Sequence, residues 1–198
     1  MPKLEYWSEG WTKGRTSFHR TYVHKSLLEF QSKLLVKKPS RVLVPLCGKT
    51  LDMRWLAEEG HEVVGVEGVL QAVMEFFQEQ DLSYKESDIP GIKDGKLFEN
   101  EDKKIKIYLC DFFKFSKYTD VLLSVLSPGG RILNEVYEYS LEEKPTGTPN
   151  TVPDEVIQKL YGEKFSIELL ADNDHLNQRF KDQGLTWMRQ HVRIMTLK

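Results

Sequence analysis

Cysteine is scarce in this 198-residue sequence: there are two, Cys47 and Cys110. Both lie in apolar runs, at no spacing used by a metal site or a disulfide framework, which excludes a stapled scaffold and fits thiols kept in a reducing compartment. Long apolar runs are lacking too, since none approaches the roughly 20 residues that cross a bilayer. The opening MPKLEYWSEGW carries acidic residues where a secretory leader has a basic start and then an apolar stretch. A cytoplasmic location is therefore expected, with no membrane partner. Charge of one sign is also missing. With 28 basic and 30 acidic side chains the formal charge is -2, so no strong field exists to attract nucleic acid, and Lys103 to Lys106 read as a solvated hairpin face. There is no internal repeat. What is present is 40% hydrophobic residues, enough for one core and a single domain over 1–198.

The apolar spacing predicts a helix from about Thr21 to Val36, with Val23, Leu27, Phe30 and Leu34 on one face, ended by Pro39. RVLVPLC then reads as a strand covered on both sides. TLDMRWLAEEG reads as a helix with Leu51, Trp55 and Leu56 inward and Gly60 as its stop. HEVVGVE is a second strand, and VLQAVMEFFQEQ a helix burying Leu70, Val73, Met74 and Phe77. Such alternation implies an α/β fold with parallel strands and right-handed crossovers. KLFENEDKKIKIYLCD interrupts it as an antiparallel hairpin whose second arm, Ile105 to Cys110, is a third apolar strand. A short helix TDVLLSVL, a strand RILNEVYEY, a helix DEVIQKLYG ending at Gly162, a strand FSIELLAD, a helical segment near Asn173 to Lys181 and a last strand WMRQHVRIMTL follow.

Ligands of open parallel sheets sit beyond the carboxyl ends of the strands. That directs attention to Pro45 to Lys49, Glu67 and Asp111-Phe112. A carboxylate closing the second strand, Glu67, suits the two hydroxyls of a ribose, each charge-assisted hydrogen bond contributing about 1.5 to 3 kcal/mol. A solvated loop glutamate would occupy the same sequence position. The first turn offers only Gly48 where a dinucleotide fold carries GxGxxG, so close approach of a pyrophosphate is unsupported and a nicotinamide dehydrogenase is disfavoured. A cofactor with ribose and adenine but no phosphate needs no such cradle, and S-adenosylmethionine is the commonest. Trp7, Trp11 and Phe18 form an aromatic set with no core period. They suit either an arm stapled onto the core or a lid whose ring faces attract a sulfonium. His19 and His24 have no nucleophile or carboxylate near them in sequence and read as structural or substrate-edge residues. Cys47 reads as a buried structural thiol.

WSEGWTKGRTSFH, VPLCGKTLDMRWLAEEGHEVVGVE, FFQEQDLSY and PGGRILNEVYEY together resemble the thiopurine S-methyltransferases over most of the chain. The resemblance implies a Rossmann-like class I S-adenosylmethionine-dependent methyltransferase, its sheet mostly parallel with an antiparallel last strand. It would act as a cytosolic monomer on aromatic and heterocyclic thiols, with an N-terminal arm of about residues 1–20 covering the cofactor. Carried over by position, it places the cofactor against Trp7, Trp11, Phe18, Leu46, Glu67, Asp111 and Phe112, with Phe18 also touching the thiol. No lone catalytic residue and no metal is implied.

One departure stands out. The family carries a WDRG strand and a helix where Phe115 to Tyr118 here runs straight into Thr119-Asp120. A central strand, an arginine and part of a helix, about 20 to 30 residues at ordinary element lengths, have no counterpart. The apolar side chains of a buried strand contribute about 1.5 to 3 kcal/mol each, comparable with the whole 5 to 15 kcal/mol margin of a domain. Two outcomes are consistent with that loss: RILNEVYEY closes up against RVLVPLC, or the chain is a shortened form that folds poorly and does not catalyse.

Overall fold

The computed structural model describes residues 4–112, 123, 125–144 and 149–198. The chain divides into two compact units, one of Met1–Glu29 with Leu35–Ser116 and one of Phe30–Leu34 with Lys117–Lys198. The first holds α1 (Leu4–Thr12), the first half of α2 (Lys25–Leu34), β1 (Arg41–Pro45), α3 (Leu51–Glu58), β2 (Glu62–Glu67), α4 (Leu70–Glu79), β3 (Tyr84–Asp88), β4 (Lys96–Asn100) and β5 (Ile105–Leu109). Its sheet runs β1-β2-β5-β4-β3. β1, β2 and β5 are parallel, with Pro45 beside Val66 and Glu67 beside Leu109, so their carboxyl ends lie level. The hairpin β4–β5 and the edge strand β3 extend the sheet antiparallel.

The expected strand-helix-strand-helix order is present, and its start and stop signals act locally. The Thr50 hydroxyl accepts from the Asp52 amide at 3.3 Å to cap α3, and Gly60 takes φ 88° just past its end. The buried faces differ from the expectation in detail. On α3 the buried residues are Met53, Leu56 and Ala57, with Leu51 and Trp55 only half-buried. On α4 they are Ala72, Val73, Phe76 and Phe77, while Leu70 and Met74 are exposed. The stripe is rotated because Val69 and Ala72 pack against Trp11 of α1, a helix that sequence spacing did not announce. α2 begins at Lys25, four residues later than expected.

The second unit has β6 (Arg131–Glu138), α5 (Asp154–Tyr161), β7 (Phe165–Asp174), α6 (Gln178–Lys181) and β8 (Arg189–Leu197). Its sheet is antiparallel in the order β6-β8-β7. Ile157 and Tyr161 of α5 pack with Phe165 and Met195. Among the described residues the expected pairing of RILNEVYEY with RVLVPLC is not formed: β6 pairs with β8 along its length, from Arg131 opposite Thr196 to Glu138 opposite Arg189, while β1 pairs with β2. The nine-residue last strand supplies β6 with a ladder along one edge, which satisfies the half of its backbone groups that face β8. The TDVLLSVL helix, apart from Leu123, Val125 and Leu126, and the join at Tyr118-Thr119 lie outside the described residues. Among the described residues no helix is long and apolar enough to cross a membrane.

Candidate active site

The site is built on the turn after β1. Leu46 turns into the left-handed region at φ 51° and is exposed, and Gly48 follows at φ 51°. A left-handed leucine costs about 1 to 3 kcal/mol, so the turn must be held from outside. The Cys47 amide donates to the Val66 carbonyl at 3.1 Å and the Thr50 amide to the Cys47 carbonyl at 3.1 Å. The Gly48 amide donates to Glu67 Oε2 at 2.8 Å.

Glu67 is buried at 7% exposure. Its other oxygen accepts from the Gly68 and Val69 amides, each at 2.8 Å. Two carboxylate oxygens offer about four acceptor positions; among the described residues three are taken, which leaves one for a hydroxyl. Beneath the turn the Cys47 thiol is 5% exposed. Burial, and then the Glu67 charge, push its pKa well up, so it stays a neutral, unreactive packing group. Burial and Asp111 likewise raise Cys110.

The N-terminal arm closes over this end of the sheet. Trp11 is buried against Val69 and Ala72, and a Cβ on Gly48 would stand 3.4 Å from its ring. Lys49 Nζ lies 5.8 Å from the Trp11 ring centroid and pairs with Glu75 at 2.7 Å and Glu79 at 2.5 Å on α4. Burial alone would lower the lysine pKa, but the two hydrogen-bonded carboxylates outweigh it and raise it. Phe18 meets both Trp7 and Trp11 edge to face at 6.0 Å. Leu4 stands over Gly68, where a Cβ would come within 2.6 Å of its Cδ1. The His24 amide donates to Asp52 Oδ1 at 2.7 Å, tying the arm's far end to α3.

Between arm and turn lies a cavity of about 200 Å³, with Trp11, Phe18, His19, Leu46, Gly48 and Lys49 among its walls. Of the residues predicted from sequence, Trp11, Phe18 and Leu46 line it directly. Trp7 reaches it through its contact with Phe18. Glu67 sits under the turn, joined to it by Gly48. Asp111 and the buried Phe112 follow β5 beside Glu67, where the Cys110 amide donates to the Glu67 carbonyl at 2.8 Å. Sequence reasoning named Lys49 only as the end of the Pro45 to Lys49 turn, read His19 as a structural or substrate-edge residue, and passed over Leu4. A signal for Lys49 existed in Glu75 and Glu79, spaced four apart on one helix face. Among the described residues no group of His, Cys, Asp and Glu could hold a metal ion.

Parallel strand ends, a carboxylate closing β2 and a covering N-terminal arm define the α/β methyltransferase fold. A solved structure of Burkholderia thailandensis 1,6-didemethyltoxoflavin-N1-methyltransferase, with that substrate and S-adenosylhomocysteine bound, superposes at TM-score 0.62 and 12% identity, covering 98% of this chain and 87% of that one. The sequence narrows the class further. The family model for thiopurine S-methyltransferase matches residues 2–117 and 114–198. A probable thiopurine S-methyltransferase of Danio rerio is 35% identical over 98% of this chain and 95% of its own length, and the Bos taurus thiopurine S-methyltransferase is 34% identical over 98% and 90%. The chain belongs to the thiopurine S-methyltransferase family, and is an enzyme of the methyltransferase class. The Danio rerio alignment extends over 221 positions, more than the 198 residues here, so that relative carries residues with no counterpart. The family match breaks into two segments that meet at 114–117, next to the join where the sequence runs short.

Proposed function

We propose that this protein transfers a methyl group from S-adenosylmethionine to the sulfur of an aromatic or heterocyclic thiol. The observation that carries the proposal is the Glu67–Gly48 link, which couples a buried carboxylate at the end of β2 to an aromatic-walled cavity over the turn. The residues present fit the cofactor. Glu67 keeps one acceptor position for a ribose hydroxyl, and Asp111 and Phe112 stand beside it for the adenine. Trp7, Trp11 and Phe18 turn aromatic surface towards a sulfonium. When bound, S-adenosylmethionine supplies a methyl group on a positively charged sulfur. The cavity, at about 200 Å³, is smaller than the roughly 300 to 1,000 Å³ of whole-ligand sites. It suits the reacting end, where Phe18 would stand against the thiol and Glu67 would hold the nucleoside. Positioning then supplies most of the catalysis, an effect worth about 7 to 11 kcal/mol in well-oriented pairs.

In this reading the two units act as one methyltransferase domain, supported by family matches that together span 2–198, and the protein works as a cytoplasmic monomer. Purified protein, methyl-labelled S-adenosylmethionine and an aromatic thiol should yield labelled thioether. No label transferred under conditions where the Danio rerio relative is active would overturn the proposal. The 221 aligned positions against 198 residues favour one rival, a shortened family member without catalysis. Calorimetric titration with S-adenosylhomocysteine separates them: ordinary affinity together with turnover excludes the rival.

A further inference from the structure

We propose that His19 takes the proton from the substrate thiol, so that the protein accepts thiols that are un-ionised in neutral solution as well as acidic ones. This rests on the thiol reading above and deepens it.

His19 lines the cavity beside Phe18 and Trp11, opposite the Leu46 to Lys49 turn. It is half-buried. Its backbone is fixed by the amide bond to Thr16 O at 2.8 Å, whereas its ring makes no hydrogen bond among the described residues. The charged and titratable groups around it are Lys49 on the turn, Glu75 and Glu79 on α4, Asp52 on α3, and Arg20 and His24 on its own loop. Lys49 already engages both glutamates, and Asp52 accepts from the His24 backbone. No carboxylate therefore holds the imidazole as a cation. Burial first, and the Lys49 charge second, lower its pKa, which leaves a neutral ring, with one accepting nitrogen, in the cavity wall at neutral pH. Asp52 accepts from the His24 amide through one oxygen, the glutamates are paired with Lys49, and the Cys47 thiol is buried and protonated; of the two histidines in the cavity wall, His19 and His24, His19 adjoins Phe18, the residue read against the thiol, and is the base assigned.

The step balances without an added reactant. The S–H bond breaks, its electron pair stays on sulfur, and the proton forms an N–H bond on His19. The thiolate is the nucleophilic form of sulfur, and proton removal by a positioned base typically contributes 10² to 10⁴ fold.

The test compares His19→Gln and His19→Ala with the unaltered protein on two probes: an electron-poor arenethiol ionised at neutral pH, and benzyl mercaptan, which is not. With benzyl mercaptan, kcat/KM should fall about 100-fold or more; with the arenethiol, less than about 3-fold. A second readout needs no turnover. A weakly acidic arenethiol whose thiolate absorbs in the near ultraviolet, bound to the unaltered protein, should ionise at a lower pH than in solution, and the His19→Gln variant should abolish that shift. Equal losses on both thiols, or an unchanged ionisation in the variant, would overturn the assignment while leaving the methyltransferase reading in place. Absence of turnover on any thiol by the unaltered protein would overturn both.

Discussion

Gly65, in the middle of β2, lies under the site turn, and replacing it by alanine tests how the turn is supported. A Cβ there would stand 2.7 Å from Cys47 Sγ, 2.9 Å from Met53 Sδ and 3.3 Å from Ile107 Cγ1. Cys47, Met53 and Ile107 are all buried, at 5%, 0% and 0% exposure, so none can swing into solvent. Overpacking of this kind costs about 1 to 3 kcal/mol, which at this chain length lowers Tm by about 2 to 12 °C. The expected loss is measured by urea unfolding, with unchanged m showing that the compactness of the end states is preserved. Cys47→Ala removes the nearest atom, at a cost of about 1 to 2 kcal/mol for the lost methylene-sized group and the void it leaves. In the double variant the new methyl group occupies the space of the lost sulfur, so the two costs should fall short of additivity by at least about 1 kcal/mol. Full additivity, or a Gly65→Ala variant within about 0.5 kcal/mol of the unaltered protein, would refute the close packing of turn on strand.

Three further outcomes are expected. Glu67→Gln places an amide NH2 among three backbone donors and should cost about 1 to 3 kcal/mol of stability; calorimetry should also show S-adenosylhomocysteine affinity falling more than about tenfold, that is about 1.4 kcal/mol. Lys49→Met removes the partner of Glu75, whose carboxyl is held below the usual glutamate range chiefly by the Lys49 hydrogen bond. A depressed carboxylate stabilises the fold above its unfolded pKa, and that stabilisation disappears as pH falls through the folded value; the variant should therefore show a shallower acid limb in stability against pH. Asp154→Ala strips a 2.8 Å partner from Arg193, whose side chain is 3% exposed, and should lower stability by about 1.5 to 3 kcal/mol in thermal unfolding, with catalysis at the folded temperature unchanged.

Much of the first unit was legible from the chain. β1, α3, β2, α4 and the β4–β5 hairpin fall where apolar period, the Thr50 cap and Gly60 place them, because these signals act over a turn or a strand and need no distant partner. The faces those helices bury were less legible. Met53 and Ala72 face inward because of what packs on them, β2 beneath and Trp11 above, and periodicity alone does not distinguish adjacent stripes only 100° apart. α1 escaped notice because its buried residue is a single tryptophan, which sets no period.

The site divides the same way. The sequence determined that the strands close at the Pro45 to Lys49 turn, at Glu67 and just before Asp111-Phe112, and the absence of a glycine cradle, because strand ends follow from local pattern to within a residue or two. Tertiary structure decided that the Gly48 amide reaches across to Glu67, that Lys49 pairs with Glu75 and Glu79 of α4, and that His19 lines the cavity with the turn. The hydrogen bonds among these join residues 19 to 30 positions apart, and only the parallel register of β1 on β2, with α4 following it, brings such partners within reach.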